Sequence, residues 1–193
     1  MSLMTATPYK INNMELKNRI IMLVMHTAFA KGGKLSEEDY AFFEARAKGS
    51  PAAITQVVGV NDEGTADSMP NVTDESFFDA EKRITDMIHS YGTKHIVQLF
   101  HRGRNAASDK GLKPIAPSNV PSGIYRNECE VMTAEKIEET VKAFADAALK
   151  LKEIGVDAVE VSMSAGYLLS LFFSPITNLR DDEYGGDEER RMK

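Results

Sequence analysis

The chain has 193 residues, 42% hydrophobic and 27% charged, and 23 basic against 29 acidic side chains give a formal charge of −6. A chain of this length buries roughly 70% of its unfolded surface, so a single soluble globular domain is expected and no disulfide scaffold is needed. The acidic balance without a basic stripe argues against nucleic-acid binding, and no apolar run approaches the ~20 residues of a membrane helix.

In chain order, Met1-Ser2-Leu3-Met4 lacks the charged start of a signal peptide. It reads as a short tag before a natural start, with residues 1–7 a flexible N-terminus. Residues 20–25, IIMLVM, are a continuous apolar run of strand length. Ser36 can cap a helix that turns Tyr40, Phe43 and Ala47 inward. Residues 52–60, AAITQVVGV, are a second apolar run, rich in β-branched side chains. Thr73 or Asp74 can cap a second helix, with Phe77, Ala80, Ile84, Met87 and Tyr91 at helical spacing and Gly92 as its stop. Ile96-Val97-Gln98-Leu99 is the third run. It is followed by an irregular stretch, residues 101–132, that carries Pro114, Pro117 and Pro121. Thr133 can cap a third helix facing inward through Ile137, Val141, Phe144, Ala148 and Leu151, with Gly155 beyond its end. Ala158-Val159-Glu160-Val161 is the fourth run, and a last helix begins near Asp187. The single cysteine, Cys129, excludes an internal disulfide framework and any CxxC motif, and a reducing, cytoplasmic setting is the expectation.

Continuous apolar runs, rather than alternating ones, are the mark of strands buried on both faces of a parallel sheet. Strands alternating with helices imply right-handed crossovers. An open doubly wound sheet and half of a (β/α)₈ barrel both fit. Either fold gathers ligands at the carboxyl ends of its strands. There lie Met25-His26-Thr27, residues 57–60, the stretch from Gln98 to Arg104, and Ser162 to Tyr167. A glutamine inside an apolar strand must find partners, and its amide suits the edge of a heterocycle as well as neighbouring backbone. His101, Arg102 and Arg104 form a basic group that suits an anion or plain solvent. Tyr167 suits a proton donor at a site mouth or an ordinary core tyrosine. No GxGxxG, GxxxxGK[ST] or GxSxG occurs, and His26, His89, His95 and His101 show no metal-ligand spacing.

Several blocks in order resemble the Old Yellow Enzyme family of FMN-dependent NAD(P)H oxidoreductases: Leu16-Lys17-Asn18-Arg19, Met25-His26-Thr27, Gln98-Leu99 with His101 and Gly103-Arg104, Pro114-Ile115-Ala116-Pro117-Ser118, Gly166-Tyr167-Leu168-Leu169, and Ser174-Pro175 through Asn178, Arg180, Asp182, Tyr184-Gly185-Gly186, Glu189 and Arg191. The likeness runs from about Pro8 to Lys193. It implies that residues 8–193 are the N-terminal half of an FMN-binding (β/α)₈ barrel, an α/β fold of four parallel strands alternating with helices. It further implies that Val24, Met25, His26 and Val57 line the flavin and that Gln98 bonds its pyrimidine. Tyr167 falls on the tyrosine that protonates the substrate α-carbon. Asn178 and Arg180, with Arg104, fall on the substrate side.

The resemblance implies reduction of an activated C=C bond, enoyl or dienoyl, with NADH or NADPH as reductant and a small unsaturated molecule as substrate. Ser162 and Ala165 stand where many members carry a His-x-x-His or His-x-x-Asn pair. In this the chain is similar to the 2,4-dienoyl-CoA reductase branch, whose iron–sulfur cysteines lie in the later half. Loops of the later half also hold the flavin phosphate in the family. The 193 residues alone are therefore expected to be inactive and to bind FMN weakly. The alternative reading is an inert half-barrel that self-associates, and a homo-oligomer is expected in either case.

Overall fold

The computed structural model describes residues 3–106, 111–124, 126 and 128–193; of the expected N-terminal tail, residues 1–2 lie outside these. A turn at Met4–Ala6 leads into a hairpin of β1 (Tyr9–Ile11) and β2 (Met14–Leu16). Then come β3 (Ile21–Met25), α1 (Glu37–Ala47), β4 (Ala53–Gly59), α2 (Phe77–Ser90) and β5 (Lys94–Phe100). The long stretch after β5 contains the short β6 (Ile115–Ala116) and β7 (Glu130–Val131), which pair with each other. The chain continues through α3 (Ala134–Glu153), β8 (Ala158–Val161), α4 (Leu168–Phe173) and α5 (Glu188–Arg191).

The main sheet has the order β3-β4-β5-β8 and is parallel throughout. Period-two alternation divides its side chains between two faces. Ile54, Val58, Val97 and Leu99 pack on one face against Phe43 of α1, Phe77, Ile84 and Ile88 of α2, and Ala147 and Leu151 of α3. The three long helices thus cover one side, as in four successive units of a barrel wall. On the other face, Ala53, Ile96 and Ala158 meet Leu16 and Met14 of the hairpin, which closes the amino ends of the strands.

The helix starts follow from capping chemistry. Ser36 and Asp39 form a capping box at α1. Thr133 and Asp187 accept from the backbone at the starts of α3 and α5. The second helix departs from expectation: its N-cap is Ser76, not Thr73 or Asp74. Thr73 instead donates to Asp62 at 2.8 Å, and Asp74 accepts from the Ser76 amide at 2.9 Å, so both close the turn that precedes the helix. The inward face of α3 is also rotated, because Thr140 and Ala147 are buried while Val141 is 58% exposed. Val141 lines an open apolar groove of about 440 Å³ with Phe144, Val161, Leu168 and Phe172. Continuous burial holds for β4 and nearly all of β5, which have neighbours on both sides. It fails for the edge strands: Leu23 of β3 is 74% exposed, and β8 is largely exposed.

Candidate functional site at the strand ends

Because the four strands are parallel, their carboxyl ends open on one rim. A register irregularity in β3 places four residues, Met22 to Met25, against three of β4, Ile54 to Gln56. Such a bulge re-aims a side chain. Val24 packs with Val57, Met69, Phe100 and Tyr167 in an apolar cluster on the face opposite the long helices. The Tyr167 ring meets Phe100 edge to face, with centroids 4.5 Å apart and planes at 71°.

Tyr167 is held by its backbone. Its amide donates to the Ser164 carbonyl at 3.2 Å, and the next amide, of Leu168, donates to the His101 carbonyl at 3.1 Å. Asn105 donates to the Gly166 carbonyl at 3.0 Å. Ala165 and Gly166 are both left-handed, with φ of 58° and 74°. For alanine that conformation costs about 1 kcal/mol, strain set beside a site. A Cβ on Gly103 would lie 3.0 Å from the Leu168 backbone, so the loop after β5 reaches this turn only as glycine. Among the described residues the Tyr167 hydroxyl has no hydrogen-bond partner, which leaves it able to donate.

Gln98 lies one row below Phe100 on the same face and is 8% exposed. It is the register partner of Val57 on one side and Glu160 on the other. Its amide nitrogen donates to the Glu160 carboxylate. Sequence reasoning missed Glu160, although a charge in an apolar strand was its signal.

His26 is exposed just past β3, and its Nε2 donates to the Ser68 carbonyl at 3.1 Å. Thr27 beside it donates to Asp39 at 2.7 Å, which ties this rim to the start of α1. Met25 is 57% exposed at the same edge. His101 is fully buried; burial pushes its pKa down to about 3, so the ring is neutral, and Nδ1 accepts from the Gly103 amide at 3.0 Å. Gly64 lies against that ring, where a Cβ would sit 2.4 Å away.

The structure thus brings Val24, Val57 and Tyr167 together, with Gln98 beneath them and Met25 and His26 on the rim of β3. It does not bring in Arg104, Asn178 or Arg180. Arg104 donates to the Val120 and Pro121 carbonyls at 3.2 Å. Asn178 donates to the carbonyls of Phe172 and Tyr184 at 2.9 and 2.8 Å. Arg180 grips Asp182 and donates to the Pro117 and Met132 carbonyls at 3.1 and 2.5 Å. All three brace the loops above the rim.

A sequence profile of the NADH:flavin oxidoreductase / NADH oxidase family matches residues 6–193. Among relatives, a metal reductase of Desulforamulus reducens is 38% identical over 188 residues, covering 96% of this chain and 28% of that protein. An NADPH dehydrogenase of Bacillus subtilis is 35% identical over 191 residues, covering 97% of this chain and 56% of the relative. The chain therefore spans about half the length of such dehydrogenases. A 2-naphthoyl-CoA reductase structure superposes with a TM-score of 0.93 at 29% identity, over 97% of this chain and 31% of that one. An Old Yellow Enzyme from Pichia sp. AKU4542 gives 0.90 at 27% identity, over 98% and 53%. The fold is the α/β wall of these barrels, represented by four of its strands.

Proposed function

The chain belongs to the NADH:flavin oxidoreductase / NADH oxidase family, and from that premise we propose that its strand-end rim holds the isoalloxazine ring of FMN for the NAD(P)H-dependent reduction of an activated C=C bond. One observation carries the reading: a nearly buried glutamine amide lies directly beneath the apolar cluster of Val24, Val57, Phe100 and Tyr167, whose tyrosine hydroxyl is unpartnered among the described residues. These residues fit a flat heterocycle with a polar edge. Val24, Val57 and Met25 would contact its faces, His26 would lie at its edge, and Gln98 can both donate to and accept from its pyrimidine. When bound there, FMN would supply the hydride chemistry that links NADH or NADPH to the substrate β-carbon.

The chain's own residues do the rest. The Phe100–Tyr167 contact and the strained 165–166 turn fix the phenol, which donates its proton to the substrate α-carbon. Apolar neighbours keep water from competing for that step. Asn178, Arg180 and Arg104 act on substrate only through the loops they hold. Ser162 and Ala165 leave the rim without the histidine pair of many members, and likeness to a 2-naphthoyl-CoA reductase supports an enoyl or dienoyl thioester as substrate. Cys129 is the sole cysteine, so any iron–sulfur cluster would need ligands from elsewhere. A cytoplasmic setting fits this chemistry. Among the described residues no helix is long and apolar enough to cross a membrane.

The test is Tyr167→Phe in the flavin-loaded protein. General acid catalysis contributes about 10²–10⁴-fold. Oxidation of the reduced flavin by an enoyl or dienoyl substrate should slow by that factor, while flavin reduction by NAD(P)H is unchanged. Equal rates with substrate would remove Tyr167 from the chemistry.

The open edges favour a second reading, a self-associating half-barrel without activity. Leu23, Met25, Val159 and Val161 are exposed on β3 and β8, and unpaired edges are templates for further strands. Flavin titration of the associated species, identified by sedimentation equilibrium, separates the two: an oligomer without flavin affinity supports the second, and one that takes up FMN supports the first.

A further inference from the structure

Resting on the flavin reading above, we infer that Glu160 is a positioning residue that fixes the amide of Gln98 and sets a negative charge beside the flavin pyrimidine. Val57, Gln98 and Glu160 occupy one row across β4, β5 and β8, each the direct register partner of the next. The side chains of Gln98 and Glu160 therefore leave the sheet on the same side, and the Gln98 amide nitrogen donates to the Glu160 carboxylate.

An ionised carboxylate only accepts hydrogen bonds, whereas an amide offers an acceptor on one side and a donor on the other. The reversed amide would set its oxygen against the carboxylate, which is repulsive. Glu160 thus selects one orientation. The Gln98 oxygen is turned away from β8 as an acceptor for a ring N–H, and the second amide hydrogen remains for a ring carbonyl. Charge-assisted bonds are roughly twice as strong as neutral ones, so the preference is firm. The row below holds Thr55, Ile96 and Ala158, and no side chain among the described residues other than Glu160 bonds the Gln98 amide. The charge has a second consequence. Reduced flavin is richer in electrons than oxidised flavin, and a carboxylate beside it opposes that form.

The test titrates the protein with oxidised FMN and with FMN reduced anaerobically by dithionite, following flavin fluorescence and absorbance. Four proteins are compared with the parent: Glu160→Gln, Glu160→Asp, Gln98→Leu and the Glu160→Gln/Gln98→Leu double variant. Glu160 is exposed, so its replacement should leave the thermal midpoint unchanged. Glu160→Gln should weaken oxidised FMN about tenfold by freeing the amide. It should also raise the preference for reduced over oxidised FMN about tenfold, or about 30 mV for a two-electron couple. Glu160→Asp, which keeps the charge, should restore the oxidised-to-reduced ratio. In the Gln98→Leu background, Glu160→Gln should change oxidised-FMN affinity less than twofold.

If Gln98→Leu weakens FMN while Glu160→Gln changes neither quantity, the inference is wrong and the flavin reading stands. Additive losses in the double variant would also overturn it, because Glu160 would then act independently of Gln98. If Gln98→Leu itself has no effect, the assignment of Gln98 to the flavin fails, and this inference with it.

Discussion

Replacing Glu81 with glutamine should remove most of the loss of stability on the alkaline side of neutrality. Glu81 projects from α2 into the core between helix and sheet and is completely buried. Its Oε2 accepts from Gln56 at 3.0 Å, and its Oε1 stands 3.6 Å from His95 Nε2. Thr85 donates to the Glu81 backbone carbonyl at 2.9 Å and so accepts from His95 Nδ1 at 3.0 Å, which leaves Nε2 as a lone-pair acceptor. Gln56 Oε1, Glu81 Oε1 and His95 Nε2 all lack a hydrogen bond. A protonated Glu81 fits this company and an ionised one does not. Burial, opposed by the Gln56 bond and reinforced by Asp39, pushes its pKa from 4.5 up to about 8.

The folded state thus keeps a proton that the unfolded chain releases above pH 4.5, so stability falls as pH rises from 4.5 to 8. Burial also pushes His95 and His101 from 6.5 down to about 3. Their contribution has the opposite sign: it grows from pH 3 to 6.5 and is complete above 6.5. Between pH 6.5 and 8, Glu81 is left as the main slope, worth about 1.4 kcal/mol per pH unit and so about 2 kcal/mol over the interval. In Glu81→Gln the new amide keeps the acceptor for Gln56 and gains a donor for one of the orphaned atoms. Urea unfolding at pH 6.5 and 8.0 should show the parent losing about 2 kcal/mol, with the variant nearly flat. Parallel losses in both proteins would refute the assignment of a neutral Glu81.

Three further outcomes follow from the rim. Gln98→Leu, close in size, should weaken FMN binding by about 1–3 kcal/mol in a fluorescence titration, because polar groups on the ring go unpaired. Gly64→Ala drives a methyl into the buried His101 ring, 2.4 Å away, and overpacking should cost about 1–3 kcal/mol in a thermal melt. Ala165→Gly removes a left-handed alanine and should leave stability equal or about 1 kcal/mol higher, while flavin reoxidation by substrate slows as the Tyr167 turn loosens.

Much of the wall was legible because its signals are local. Each long apolar run became a strand of the main sheet, and Ser36, Thr133 and Asp187 cap the helices expected of them. What escaped depends on tertiary partners. The hairpin strands Tyr9–Ile11 and Met14–Leu16 are too short to show a period. Leu168–Phe173 reads as an apolar run and folds as one short helix, because the loop after β5 receives its first amide. Edge exposure of β3 and β8 is a property of the sheet, not of those residues. At the site, Gln98 and Tyr167 stood out by chemistry and by family likeness. Glu160 gained meaning only through register, and Arg104, Asn178 and Arg180 brace loops because their donors are taken up by backbone carbonyls that no spacing in the sequence marks.

The central claim is that the strand ends of this chain form the flavin-ring site, and amide chemical shifts test it most directly. The ¹⁵N-labelled 193-residue protein is titrated with FMN into the millimolar range, which allows for weak binding. The account predicts shifts concentrated at Val24, Met25, His26, Val57, Gln98 and Tyr167, with the Gln98 side-chain amide among the largest. Saturating shifts elsewhere, for instance along the groove between Val141 and Phe172, or none at the rim, would contradict it.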